Sequence, residues 1–235
     1  MGNIYDAKFL MDNKSWRLVK EYEVKKLLEH SIKNKNVLEI GLGDGYITEL
    51  LSNFFKEVIA VDISQEVINS VRKRLIKKKN IIFINSSIEK LNLDFKIHNF
   101  YLGHILEHMD FPVESLTNFK KMFSSESIGY ISVPNSNSIH RQIGVIMGLL
   151  ESTDALNEKD ISFGHKRLYT IRKLKDQVKK AGFKIIKSGG CFLKTMTYKQ
   201  IDEFYSEELI RGFIKIADKY PEISGDIYVI VKKFE

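Results

Sequence analysis

The chain has 235 residues, 43% hydrophobic and 29% charged, a balance that suits one α/β domain with a sizeable core. Its single cysteine, Cys191, excludes an intramolecular disulfide framework and fits a reducing compartment, while the net charge of +7 leaves anionic partners open. No basic-plus-apolar leader is present, the longest apolar run (143–150) is too short to span a bilayer, and Asp6 stands where a myristoylation signal takes Ser or Thr. A cytoplasmic protein without membrane insertion is expected.

Taken in order, residues 1–35 carry Trp16, Val19, Val24, Leu27 and Leu28, which predict one or two amphipathic helices as an N-terminal cap. Residues 37–40 read as a buried strand ended by Gly41, Gly43 and Gly45, after which Ile47, Leu50, Leu51 and Phe54 recur at helical spacing. Glycines at such a turn permit unusual φ/ψ values and close approach of a ligand to the backbone. The following helix N-terminus offers free N–H groups to a carboxylate or phosphate. Tyr46 occupies the place of the third glycine of the dinucleotide fingerprint, which disfavours a nicotinamide-dependent dehydrogenase.

The second strand is predicted at 57–62 and ends in Asp62, about 20 residues beyond the first glycine, the separation of an acid that accepts from ribose hydroxyls. A carboxylate takes both hydroxyl hydrogens in one planar fork; the alternative is a turn cap before Ser64. Ser64 caps a helix with Val67, Ile68, Val71 and Leu75 on its apolar face. Strands follow at 81–84, 100–105 and 129–133, with a helix on Val113, Leu116, Phe119 and Phe123 before the last of them. The segment 136–164 then breaks the alternation, with a helix at 139–150 and a polar loop at 151–162. A helix burying Ile171, Leu174 and Val178 stops at Gly182, strand six covers 183–186, 189–194 is a turn or short strand, 201–217 is helical, and the last strand covers 227–231. Two basic clusters, Arg72 to Lys79 and Arg172 to Lys187, read either as an anion-binding surface or as solvated helix faces and C-termini.

The run Glu39-x-Gly41-x-Gly43-x-Gly45 resembles the first motif of class I S-adenosylmethionine (SAM) methyltransferases. His104-Ile105-Leu106-Glu107-His108 with Pro112 beyond it resembles the signature of small-molecule methyltransferases of the ubiquinone-biosynthesis O-methyltransferase type. Residues 164–170 and 189–194 also resemble a bacterial subgroup often encoded with surface-polysaccharide genes. The resemblance implies a Rossmann-like α/β fold: seven mostly parallel strands, helices on both faces and a helical insertion after strand five. It implies a single domain over 1–235, with 1–35 as the cap and 136–169 building an acceptor pocket. It assigns SAM to Glu39, Gly41, Gly43, Gly45, Asp62, Ile63, Ser87, Ile88 and His104, with S-adenosylhomocysteine as product. Tyr5 and Trp16 are candidate aromatics near the sulfonium. The chain departs from the family at Ser87, where an acid usually meets the adenine amine, and at His98, where many relatives carry Asp.

Methyl transfer to a hydroxyl benefits from a general base, and histidine suits that task. His104 and His165 rank first as catalytic residues, with His108, His140, Arg141, Lys166 and Arg167 as acceptor-binding candidates. The cations point to a phosphorylated or nucleotide-linked sugar or similar precursor. No metal is expected: His104 and His108 stand four apart, but no third ligand lies nearby in sequence. RNA methylation and a non-catalytic SAM-binding role stand as alternatives, and the protein is expected as monomer or homodimer.

Overall fold

The computed structural model describes residues 13–233. Seven strands make one sheet in the order β3-β2-β1-β4-β5-β7-β6. They are β1 (Asn36–Ile40), β2 (Glu57–Asp62), β3 (Ile81–Asn85), β4 (Ile97–Gly103), β5 (Phe123–Pro134), β6 (Phe183–Cys191) and β7 (Asp226–Lys233). Strands β1 to β5 pair in parallel, and β7 runs antiparallel between β5 and β6. The order reverses at β1 and β4, so a crevice opens at their C-terminal ends, where parallel α/β sheets take ligands.

The nearly unbroken apolar runs of β1 and β2 follow from burial on both faces. One face carries Leu38, Ile59, Phe100 and Ile131 under α4 (Pro112–Phe119) and α7 (Ile171–Lys180). The other carries Val37, Val58, Tyr101 and Tyr130 under α1 (Lys14–Leu28), α2 (Tyr46–Ser52), α3 (Gln65–Arg74), α8 (Tyr198–Phe204) and α9 (Glu207–Ala217). On this face Tyr101, Tyr130 and Tyr228 stack across three adjacent strands, at 5.3 Å per step. Among the described residues, no helix is long and apolar enough to cross a membrane.

Several boundaries differ from the sequence expectation. Strand β6 continues through Gly189 and Gly190, which were expected as a turn or short strand. A Cβ on Gly189 would stand 2.1 Å from Asp218 Oδ1, and one on Gly190 2.0 Å from Ser224 Oγ. These glycines admit close neighbours inside a strand instead of turning the chain. The helix expected at 139–150 ends earlier, as α5 (Ile139–Ile146), because Gly148 adopts φ +71. The polar loop expected at 151–162 contains α6 (Glu158–Ser162), started by a capping box between Asn157 and Asp160. The helical stretch expected at 201–217 divides into α8 and α9, since Tyr205 is extended and Ser206 caps a new helix through the Leu209 N–H.

Candidate active site

The glycine loop between β1 and α2 is held in a left-handed path, with φ of +80, +53 and +78 at Gly41, Gly43 and Gly45. A Cβ on Gly45 would lie 2.5 Å from Val71 Cγ1, whereas one on Gly43 would meet no protein atom within 4 Å. Gly45 is thus needed by the fold, and the open side of Gly43 is free for a ligand. Asp62 braces the loop from β2: Oδ2 accepts from the Leu42 N–H and Oδ1 from the Ser64 N–H, both at 2.8 Å. The turn-cap role weighed as an alternative is therefore real, and each carboxylate oxygen keeps a second lone pair. Ser64 caps α3 as expected.

Glu39 is fully buried, and neither of its carboxylate oxygens meets a hydrogen-bond donor. Burial outweighs the opposing Thr48 hydroxyl and, with the nearby Asp62 and Asp44 carboxylates, pushes its pKa up to about 8. A buried carboxyl without a donor is costly. The ammonium on the methionine half of SAM would supply a charged donor here, so the loop and Glu39 fit this cofactor. Ile63 is 77% exposed beside Asp62, a bare apolar side chain suited to an adenine ring. Ile88, expected on the same ring, packs instead into the core beneath. The Ser87 carbonyl already accepts from Ser86 Oγ and the N–H groups of Lys90 and Leu91, so only its hydroxyl stays available. Helix α1 covers the loop through Trp16, whose ring centroid lies 6.1 Å from that of Tyr46, and through Glu21, which accepts from the Tyr46 hydroxyl. Tyr5 lies outside the described residues.

The acceptor side is assembled from distant segments. His104 follows β4 with φ +58, and its two ring nitrogens stand 3.3 Å from Glu107 Oε1 and 3.4 Å from Asp226 Oδ2. Burial and Lys20 oppose its charge, but Asp226 and Glu107 outweigh them and raise its pKa to about 10. With both nitrogens facing carboxylates, no lone pair is free to take a proton, which corrects the expectation of His104 as a general base. His140 fails for the opposite reason: burial and Lys194 push it down to about 3, so it is neutral but very weakly basic. Arg141 was expected to clamp an anion. Instead it is buried inside the insertion and donates from Nε to Thr153 O at 2.6 Å, from Nη1 to Asp160 Oδ2 at 3.1 Å and from Nη2 to Ala155 O. It ties the insertion together.

His108, in the turn after β4, and His165, from the end of the insertion, come together with ring centroids 5.0 Å apart. Lys166 and Arg167 lie at the surface beside Asp110, to whose carboxylate and carbonyl they donate. His98 sits near the start of β4, at the end of the strand away from the cleft, with Nδ1 3.0 Å from Asn36 Oδ1. Sequence reasoning missed Lys20, Glu23 and Asp226. Lys20 Nζ donates to both Glu23 oxygens at 3.1 and 3.0 Å, and the Tyr101 hydroxyl donates to Glu23 Oε2. Charges three apart within the apolar run of α1 were the available signal for the first two; Asp226 belongs to no motif.

The methyltransferase-domain family matches residues 17–188. The N-methyltransferase NodS from Bradyrhizobium japonicum WM9, solved in complex with S-adenosyl-L-homocysteine, superposes with a TM-score of 0.65 at 12% identity, covering 96% of this chain and 91% of that one. Ribosomal RNA small subunit methyltransferase A from Mycoplasmopsis pulmonis is 31% identical over 78 residues, 33% of this chain and 31% of that protein. The malonyl-[acyl-carrier protein] O-methyltransferase of Bacillus anthracis is 40% identical over 60 residues, 25% of this chain and 22% of that protein. The chain thus spans under a third of the length of these curated relatives. A seven-stranded sheet with β7 reversed, a glycine loop that leaves room for a ligand and a family match across most of the chain converge: the chain belongs to the methyltransferase-domain family, the class I SAM-dependent methyltransferases.

Proposed function

We propose that the protein transfers the methyl group of SAM to an oxygen or nitrogen of a small anionic acceptor. A phosphorylated or nucleotide-linked sugar, or another precursor of surface polysaccharide, suits the cations Lys166 and Arg167 at the rim, and a cytoplasmic setting suits the lone buried thiol of Cys191. The observation that carries the reading is Glu39, a buried carboxyl without a donor behind a loop whose middle glycine faces open space. Glu39, Gly41, Gly43 and Gly45 hold the methionine half, Asp62 the ribose, and Ile63 and the Ser87 hydroxyl the adenine end. SAM, when bound, supplies a methyl on a sulfonium. The S–CH3 bond breaks as the acceptor O–CH3 or N–CH3 bond forms, sulfur keeps the electron pair, and the acceptor loses a proton. The protein aligns the acceptor within about 3–3.5 Å of the methyl carbon and excludes water. Helix α1 and the insertion at 136–169 border that space, His104 holds the Glu107 and Asp226 carboxylates together beside it, and activation belongs to the corner where His108 and His165 meet.

A second reading, RNA methylation, draws on the partial likeness to the ribosomal RNA enzymes and on the basic last turn of α3, Arg72, Lys73 and Arg74. Binding to RNA that weakens steeply with salt supports it; none at low salt excludes it.

Calorimetric titration with SAM and, separately, with NAD tests the main reading. Saturable SAM binding without NAD binding is expected, and Asp62→Ala weakens it roughly 100-fold, the loss of two hydrogen bonds to a charged group. The same variant also loses about 1–3 kcal/mol of stability, because the Leu42 N–H is left without its acceptor. Folded protein that binds no SAM overturns the assignment.

A further inference from the structure

We infer that Glu107, His108 and His165 form a site for a first-row divalent cation of the zinc type, on the acceptor side of the cleft. One ligand atom from each residue lies within 4.8 Å of the others. Sequence spacing paired His104 with His108 and found no third ligand. The fold discards His104, whose nitrogens both face carboxylates, and brings His165 from the far end of the insertion. The insertion is docked onto this corner by the backbone, with the Lys166 N–H donating to the Glu107 carbonyl at 2.9 Å.

Three observations point to a cation. Glu107 is fully buried and neither carboxylate oxygen has a hydrogen-bond partner; His104 Nδ1 stands 3.3 Å from Oε1 without hydrogen-bond alignment, and Oε2 has no donor at all. His104 faces Oε1 only, so Oε2 is left buried without a donor; a buried carboxylate oxygen without a partner is unfavourable, and metal coordination is one way to satisfy it. His108 is also backed by an oxygen, as metal-ligating histidines are: its Nδ1 donates to the Gly164 carbonyl at 3.2 Å, which leaves Nε2 as the ligand atom. His165 Nδ1 lies 3.5 Å from Asp160 Oδ1 without a hydrogen bond. Finally, the other acidic grouping nearby, Glu23, His104 and Asp226, already has a cation, because Lys20 bonds both Glu23 oxygens.

Two imidazoles and one carboxylate are a donor set typical of catalytic zinc, which leaves positions open for substrate. A tetrahedral ion with bonds of about 2.0–2.1 Å keeps its ligands roughly 3.4 Å apart, so side-chain rotation of about an ångström closes the site. Resting on the methyl-transfer reading, the ion takes an oxygen of the acceptor, hydroxyl or phosphate, and lowers the pKa of a bound hydroxyl so that its proton leaves to solvent before the methyl arrives. This supplies the activation that neither His104 nor His140 provides.

The test is titration of chelator-treated protein, made without a polyhistidine tag, with Co2+ followed by visible absorption and with Zn2+ by competition. SAM binding is measured on the same samples. One ion per chain is expected, with the cobalt band lost in Glu107→Gln, His108→Gln and His165→Gln. The loss exceeds the about 10- to 100-fold typical of removing an outer partner, while SAM affinity and the unfolding midpoint stay near wild type. No saturable cobalt binding by the wild-type protein, or binding that survives in all three variants, overturns the site. Metal binding without SAM binding sinks only the methyl-transfer reading, which separates the two failures.

Discussion

The cofactor side of the cleft and the acceptor side are built in different ways. Glu39, the three glycines, Asp62 and Ile63 come from one contiguous stretch, β1 to the start of α3, and strand pairing from Asn36↔Glu57 to Ile40↔Val61 sets their relative positions. The acceptor side takes Lys20 and Glu23 from α1, His104 to His108 from the turn after β4, His140 and His165 from the insertion, and Asp226 from the start of β7. The first side is a local motif, set by spacing within one β-α-β unit and by the pairing of β1 with β2. The second exists only where tertiary contacts hold four segments together, chiefly through charged groups that are buried or half-buried and face one another. On the proposed reading, the cofactor half rests on a local motif and the acceptor half on contacts between remote segments.

Four substitutions break or sharpen that contrast. The largest effect is on pH dependence, through Glu39. Its pKa in the folded protein is about 8 against an ordinary 4.5, so folding retains a proton that the unfolded chain releases. That contribution is complete below pH 4.5 and lost as pH rises through 8, at about 1.4 kcal/mol per unit, or on the order of 5 kcal/mol across the window. Glu39→Gln flattens this slope in urea denaturation at pH 5 and pH 8, and weakens SAM binding. A wild-type protein whose stability is level over this range contradicts the burial argument. Gly45→Ala combines a left-handed backbone with a clash against Val71, and lowers stability by about 3 kcal/mol. Arg141→Ala works on the other half. It frees Thr153, Ala155 and Asp160, costs about 2–3 kcal/mol, and is read as faster proteolysis within 147–157 with SAM binding intact. The smallest structural effect is Gly43→Ala, about 1 kcal/mol of backbone strain, since its methyl meets no protein atom. Its signature is SAM affinity lost out of proportion to stability; the reverse outcome would mean that the loop does not face the cofactor.

Much of the fold was legible because its signals are local. Strand β2 lies where its apolar run predicts, Ser64 caps α3, and the order of strands and helices follows the alternation of periods. Boundaries failed where a neighbour decided them. Gly189 and Gly190 look like a turn until Asp218 and Ser224 are seen above them. Phe123, expected as the last apolar residue of the preceding helix, instead opens strand β5 six residues before the expected 129–133 segment, because it pairs with Ile97 of β4; only later residues of the strand pair with β7. At the site, residue type was the sequence signal and environment was the missing quantity. Histidines at 104, 140 and 165 look equivalent in the chain. Two carboxylates beside the first, burial and Lys194 beside the second, and His108 beside the third make them chemically different.

By itself, then, the sequence determined the α/β alternation, the glycine loop with its paired acids Glu39 and Asp62, and the family, because each depends on spacing within one β-α-β unit. The tertiary structure alone decided that Arg141 is a tie and not a clamp, that His104 has no free lone pair, and that Glu107, His108 and His165 meet. Those properties come from desolvation and from the distance between charges, and neither exists until segments remote along the chain are packed together.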